Sequence, residues 1–135
     1  MPFTIDASVM VSAFSPAEPA HAVSKAFMTK VRENAVPVIV PVLVLAEVAA
    51  AISRGQGKPE PGVAFAGELR RLPNLSLINV DGSLADLAVE IAAERRLRAS
   101  DAVYAAVALR FGTELITLDR EQLERLPEVV PVRAP

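Results

Sequence analysis

The chain has 135 residues, 52% apolar and 22% charged, the balance of one folded unit rather than a disordered segment. It has no cysteine and a single histidine, His21, which excludes a disulfide scaffold, a thiolate zinc centre, a cysteine nucleophile and a histidine-based triad. Fourteen basic against sixteen acidic residues leave a formal charge of −2, so net charge alone does not draw the chain to nucleic acid.

Phe3-Thr4-Ile5 reads as a first strand ending at Asp6. The stretch before Asp6 lacks the basic region and long apolar run of a targeting segment, so a cytoplasmic location is expected. Helices are expected from Ser8 to Phe14 and from Pro19 to Asn34, the second with Ala22, Ala26 and Phe27 at helical spacing. The β-branched run Val36 to Val40 reads as a strand buried on both faces. Pro41, which has no N–H to leave unpaired, is expected to open the next helix, running to about Arg54 and stopped by Gly55. Val36 to Ile52 is the longest apolar stretch, but Pro37, Pro41 and Glu47 interrupt it. A bilayer needs about 20 apolar residues, so no membrane span is predicted.

Gly55 to Gly62, with Pro59 and Pro61, reads as the one clear loop. A helix over Val63 to Leu72 and a third strand, Leu75 to Val80, follow. Ser83 is expected to cap a helix reaching about Arg96, with Leu84, Leu87, Ala88 and Ile91 on one face. Another helix begins at Ser100 or Asp101 and ends at Phe111-Gly112. Glu114 to Thr117 forms a fourth strand, and Val129 to Val132 a fifth, placed at an edge by Pro131. Short strands spaced by helices imply right-handed crossovers. The predicted fold is an α/β three-layer sandwich around a central parallel sheet of four to five strands, a single domain over residues 1–135.

Four carboxylates stand where solvated charges do not belong. Asp6 and Asp119 end the first and fourth strands, and Asp101 opens a helix whose next turns are apolar. Glu47 is the only ionisable residue between Asn34 and Ser53. Each has a local explanation. Asp119 and Gln122 have capping-box spacing, Asp101 suits a helix dipole, Asp6 would cap the helix near Ser8, and a buried Glu47 would pair with an arginine. Read together, acids at strand ends and helix starts converge on the cleft where parallel sheets bind ligands. Four carboxylates in one site repel unless a cation relieves them. An oxygen-only donor set suits Mg²⁺ or Mn²⁺, whose usual chemistry is phosphoryl transfer.

Ile5-Asp6-Ala7-Ser8-Val9, Leu45-Ala46-Glu47-Val48, the run Ala99-Ser100-Asp101-Ala102-Val103-Tyr104-Ala105-Ala106, and Ile116-Thr117-Leu118-Asp119 together resemble the PIN-domain family, and within it VapC-type toxins of bacterial toxin–antitoxin pairs. Any one of these motifs is weak, but four in register cover nearly the whole chain. The resemblance implies a Mg²⁺- or Mn²⁺-dependent endoribonuclease with Asp6, Glu47, Asp101 and Asp119 as metal site. It also implies RNA as substrate, a homodimer and a cognate antitoxin that holds the enzyme inactive. Ser8 and Thr117 match polar positions beside the quartet. The tail after Asp119 is short, and Glu121 is a further acid there only by proximity.

Arg95, Arg96 and Arg98 form the densest basic cluster, read either as contacts to an RNA backbone or as cations at a helix C-terminus. Tyr104, the sole tyrosine, either stacks on a base or packs. His21 is expected to be an ordinary surface or helix residue. Competing functions are a catalytically silent PIN-like module that binds RNA or protein, and a receiver- or dehalogenase-type phosphotransferase. The latter lacks its second aspartate, since Ser8 stands there, and no lysine follows Lys58. An RNase H-type fold begins with long antiparallel strands, not with a strand followed by a helix.

Overall fold

The computed structural model describes residues 1–135. Its centre is an all-parallel sheet of β1 (Phe3–Ile5), β2 (Val38–Pro41), β3 (Leu75–Ile78), β4 (Glu114–Ile116) and β5 (Val132–Arg133), in the order β3-β2-β1-β4-β5. β1 lies in the middle, paired with β2 in the register Phe3↔Val38 and with β4 from Phe3↔Glu114 to Ile5↔Ile116. Ile5, Val40 and Ile116 are wholly buried, as a sheet covered on both faces requires.

Seven helices surround it: α1 (Ala7–Phe14), α2 (His21–Glu33), α3 (Val44–Gln56), α4 (Glu60–Arg70), α5 (Gly82–Arg95), α6 (Ala99–Phe111) and α7 (Arg120–Arg125). The connections β1 to β2 to β3 step one way across the sheet, and β3 to β4 to β5 step back. Right-handed crossovers therefore put α1–α4 on one face and α5–α7 on the other. α6 packs on β1, β2 and β4 and under α5. Its alanines, Ala102, Ala105, Ala106 and Ala108, are buried and let it lie close to the sheet. On the opposite face α4 closes on α3 at Gly62, where a Cβ would stand 2.5 Å from the Ala49 carbonyl oxygen. No helix is long and apolar enough to cross a membrane.

Several boundaries differ from the sequence expectations. Pro41 does not open a helix; it ends β2, opposite Ile78 and beyond the last residue β1 pairs, where a missing N–H costs nothing. Gly55 lies inside α3, and the stop is Gly57, whose left-handed φ of 73° lets its N–H bond the Ser53 carbonyl. The expected loop to Gly62 thereby shrinks, because Pro61 sits in the first turn of α4, where proline is tolerated. Asp81, not Ser83, caps α5, accepting from the Leu84 N–H at 2.9 Å. β5 runs over Val132–Arg133 rather than Val129 to Val132, at the expected edge.

Candidate metal centre

The strand order reverses between β1 and β4, and an open parallel sheet binds ligands in the crevice at that point. Asp6 follows β1 directly, its N–H held by the Ile116 carbonyl of β4 at 2.9 Å. Thr117 and Asp119 follow β4. Glu47 projects from the first turn of α3, and Asp101 from the first turn of α6. The crossover rule sets these two helices on opposite faces of the sheet, so the acids arrive from both sides. All four line one open cleft of about 940 Å³, with Ser8, Ser100, Arg54, Arg98 and Arg120.

Each carboxylate is held by named donors. Asp6 Oδ2 accepts from Ser8 Oγ at 2.6 Å and Thr117 Oγ1 at 3.1 Å. The same two hydroxyls accept from the backbone, Ser8 from the Leu118 N–H and Thr117 from the Asp119 N–H, locking the turn after β4. Glu47 Oε1 accepts from Tyr104 Oη at 2.6 Å, so its partner is a phenol rather than the arginine its burial called for. Asp119 Oδ1 caps α7 by accepting the Gln122 N–H at 2.9 Å. The capping box is only half formed, because the Gln122 side chain turns instead to Asp101 Oδ1 at 2.8 Å. Arg98 bridges Asp101 and Asp119.

The electrostatics are those of crowded acids. Burial pushes the Asp6 carboxyl up, against its hydroxyl donors, with the charge of Asp119 adding to the rise. Glu47 is raised by burial and further by Asp6 and Asp101. Asp101 is raised by burial and by Asp119, with Gln122 and Arg98 pulling the other way. Burial also raises the Tyr104 phenol, helped by the charges of Asp6 and Glu47, so it remains a hydrogen-bond donor. The donor set is all oxygen and suits a hard divalent cation, and Asp6 and Glu47 offer carboxylates with no charged partner. As they stand, no three of the acids are gathered tightly enough to close around one ion.

The other residues singled out in the sequence take mostly structural places. Tyr104 is wholly buried, so it presents no face on which a base could stack. Arg95 lies outside the cleft, paired with Glu128 at 2.9 Å, and the backbone carbonyl of Arg96, which ends α5, accepts from Arg125. Of that cluster only Arg98 lines the cleft. Glu121 pairs with Arg125 instead. His21 Nδ1 meets the Ser12 carbonyl at 2.9 Å, tying α2 to α1. Sequence reasoning missed Arg54, Ser100, Arg120 and the Gln122 amide. A polar residue wholly buried beside an acid is the mark of Gln122, and burial is not visible in an isolated sequence.

The PIN domain family model matches residues 3–129. The chain belongs to the PIN-domain family. Among solved structures it is similar to VapC20 of Mycobacterium tuberculosis, a sarcin–ricin loop cleaving toxin, at 20% identity and TM-score 0.78 over 97% of this chain and 98% of that one. It is similar to VapBC2 of Rickettsia felis bound to a promoter DNA fragment, at 16% and 0.73 over 100% and 99%. PAE2754 of Pyrobaculum aerophilum aligns at 20% and 0.70 over 97% and 83%. At such identities the likeness is one of fold. No curated protein sequence matches the chain.

Proposed function

We propose that the chain is a Mg²⁺- or Mn²⁺-dependent endoribonuclease, the toxin of a type II toxin–antitoxin pair, working in the cytoplasm as a homodimer under a cognate antitoxin. One observation carries the reading: Asp6, Glu47, Asp101 and Asp119, from four separate segments, line a single cleft at the point where the strand order reverses. These four would hold the ion. A bound divalent cation supplies the Lewis acid that lowers the pKa of water and offsets charge growing on the phosphate. The chain's own residues do the rest. Ser8 and Thr117 orient Asp6, Tyr104 orients Glu47, and Gln122 orients Asp101. Arg98, Arg54 and Arg120 line the cleft with cations suited to an RNA backbone.

Support for an antitoxin comes from a fold neighbour solved as a toxin–antitoxin complex from Klebsiella pneumoniae. It comes also from an apolar cleft of about 430 Å³ between α1, α2 and α4, walled by Met10, Phe14, Met28, Phe65, Leu69 and Leu72. Lys25 and Arg32 at that cleft suit an apolar segment with acidic flanks. A silent PIN-like RNA- or protein-binding module is the second reading, favoured by the Arg98 bridge and the loose spacing of the acids. Cleavage of RNA by the purified protein decides between them. Cutting with Mn²⁺ and none in excess EDTA supports the enzyme; equal cutting in EDTA overturns metal dependence. No cutting and no Mn²⁺ binding supports the silent module.

A further inference from the structure

The two halves of the acidic cluster are held by different kinds of donor. Asp6 and Glu47 are held by neutral hydroxyls. Both oxygens of Asp101 and of Asp119 are engaged, and a cation takes one of each. Arg98 Nε donates to Asp101 Oδ2 at 3.2 Å and its Nη2 to Asp119 Oδ2 at 3.0 Å. Gln122 takes the other oxygens, by its side-chain amide at 2.8 Å and its backbone N–H at 2.9 Å. Arg98, Asp101, Gln122 and Asp119 form a closed ring of four hydrogen bonds.

We propose that Arg98 is the resident counter-cation of the Asp101–Asp119 pair, and that a divalent ion gains this half of the cluster by displacing it. The inference rests on the metal-site reading above. A guanidinium suits the task because its fork of donors spans two carboxylates, which a point-like ammonium does not. The exposure fits a removable group. The Arg98 side chain is 70% exposed, while those of Asp101 and Asp119 are 7% and 23% exposed. Its head makes two hydrogen bonds and most of the side chain is in water, so release forfeits little beyond the two contacts. Gln122 is fully buried and stays, so Asp101 keeps its place after the guanidinium leaves. The displaced head remains at the rim of the cleft, where phosphate oxygens accept the same donors. The bridge also accounts for the loose spacing of the acids, since two of them are turned to Arg98.

The test is Mn²⁺ binding to the full chain without RNA, followed by the electron paramagnetic resonance of free Mn²⁺, on wild type, Arg98→Ala and Arg54→Ala. Arg98 occupies the N-cap position of α6 but makes no side-chain cap bond, so its truncation leaves the helix start intact. Arg54 lines the same cleft and pairs with no carboxylate, and so controls for loss of one positive charge. Arg98→Ala is expected to bind Mn²⁺ about tenfold more tightly, and Arg54→Ala to stay within about twofold of wild type. Metal-free Arg98→Ala should melt lower than wild type and gain more on adding Mn²⁺. Equal or weaker binding by Arg98→Ala, or equal tightening in both variants, overturns the displacement while leaving the metal site standing. Absence of Mn²⁺ binding in all three proteins overturns the metal site itself, and the displacement with it.

Discussion

Tyr104 and Gln122 are wholly buried, yet each spends its polar group on a cleft acid, so substitutions there separate folding from metal binding. Tyr104→Phe keeps the ring and removes one donor, a change worth about 1 kcal/mol in stability. Glu47 then loses the only phenol that fixes it. Calorimetry should show the Mn²⁺ affinity of Tyr104→Phe down several-fold with melting lowered by only a few degrees; equal affinity would make the bond structural. Gln122→Leu is the stricter case. The Gln122 Oε1 has no hydrogen-bond partner, so leucine removes a buried unsatisfied acceptor as well as the donor to Asp101. Its metal-free stability should stay within about 1 kcal/mol of wild type, while Mn²⁺ binding and RNA cleavage both fall. Asp101→Asn belongs to the same series. It removes one repelling charge but sets an amide N–H against Arg98 or Gln122, so the metal-free protein should lose no more than about 2 kcal/mol, while the melting rise on adding Mn²⁺ disappears. A variant that melts lower in EDTA yet cleaves normally would return Asp101 to a helix-start acid.

At the scale of elements, two glycines give opposite expectations. Gly62 brings α4 against α3, where an added Cβ would meet the Ala49 carbonyl oxygen at 2.5 Å and Ser53 Oγ at 2.7 Å. Gly62→Ala should cost about 1–3 kcal/mol in urea unfolding, as overpacked contacts do. Gly55 sits inside α3 with open space around its Cβ position, and Gly55→Ala should add about 0.5–1 kcal/mol. If both variants lose stability alike, the close α3–α4 packing is wrong. Strand and helix order were readable because apolar runs and helical spacing are local. Ends were read less well where two glycines competed as stops: Gly55 is carried inside α3, and only the chain's left-handed turn at Gly57 decides between them. α7 has six residues, too few for a periodic pattern, and only the spacing of Asp119 and Gln122 announced it. The acids were readable because charge at strand ends and in apolar helices is costly anywhere. The links from Arg98 to Asp119 and from Gln122 to Asp101 each join residues 21 apart, and folding alone brings them together.

For the whole molecule, the crowded acids predict how stability follows pH. Burial is the leading cause that raises Asp6, Glu47 and Asp101 in the folded chain above their ordinary values of 3.8, 4.5 and 3.8. A carboxyl raised on folding contributes stability below its unfolded pKa and loses it as pH rises through the folded one. The metal-free protein should therefore gain less from rising pH than its Asp6→Asn variant does. Metal requires the ionised acids, so the melting rise produced by Mn²⁺ should grow as pH rises above the ordinary carboxylate range, where these raised carboxyls lose their protons. A rise independent of pH would show that the ion binds elsewhere. The central place of β1 reaches further still. It is made early, but its partner β4 is made late, and the bond from Thr117 to Asp6 spans 111 residues. During translation Asp6 emerges long before the α6 and β4 segments that complete its surroundings, and pairings so distant in sequence form slowly. A growing chain on the ribosome has no cleft until nearly all of these residues have been added, so biosynthesis itself delays the appearance of the site.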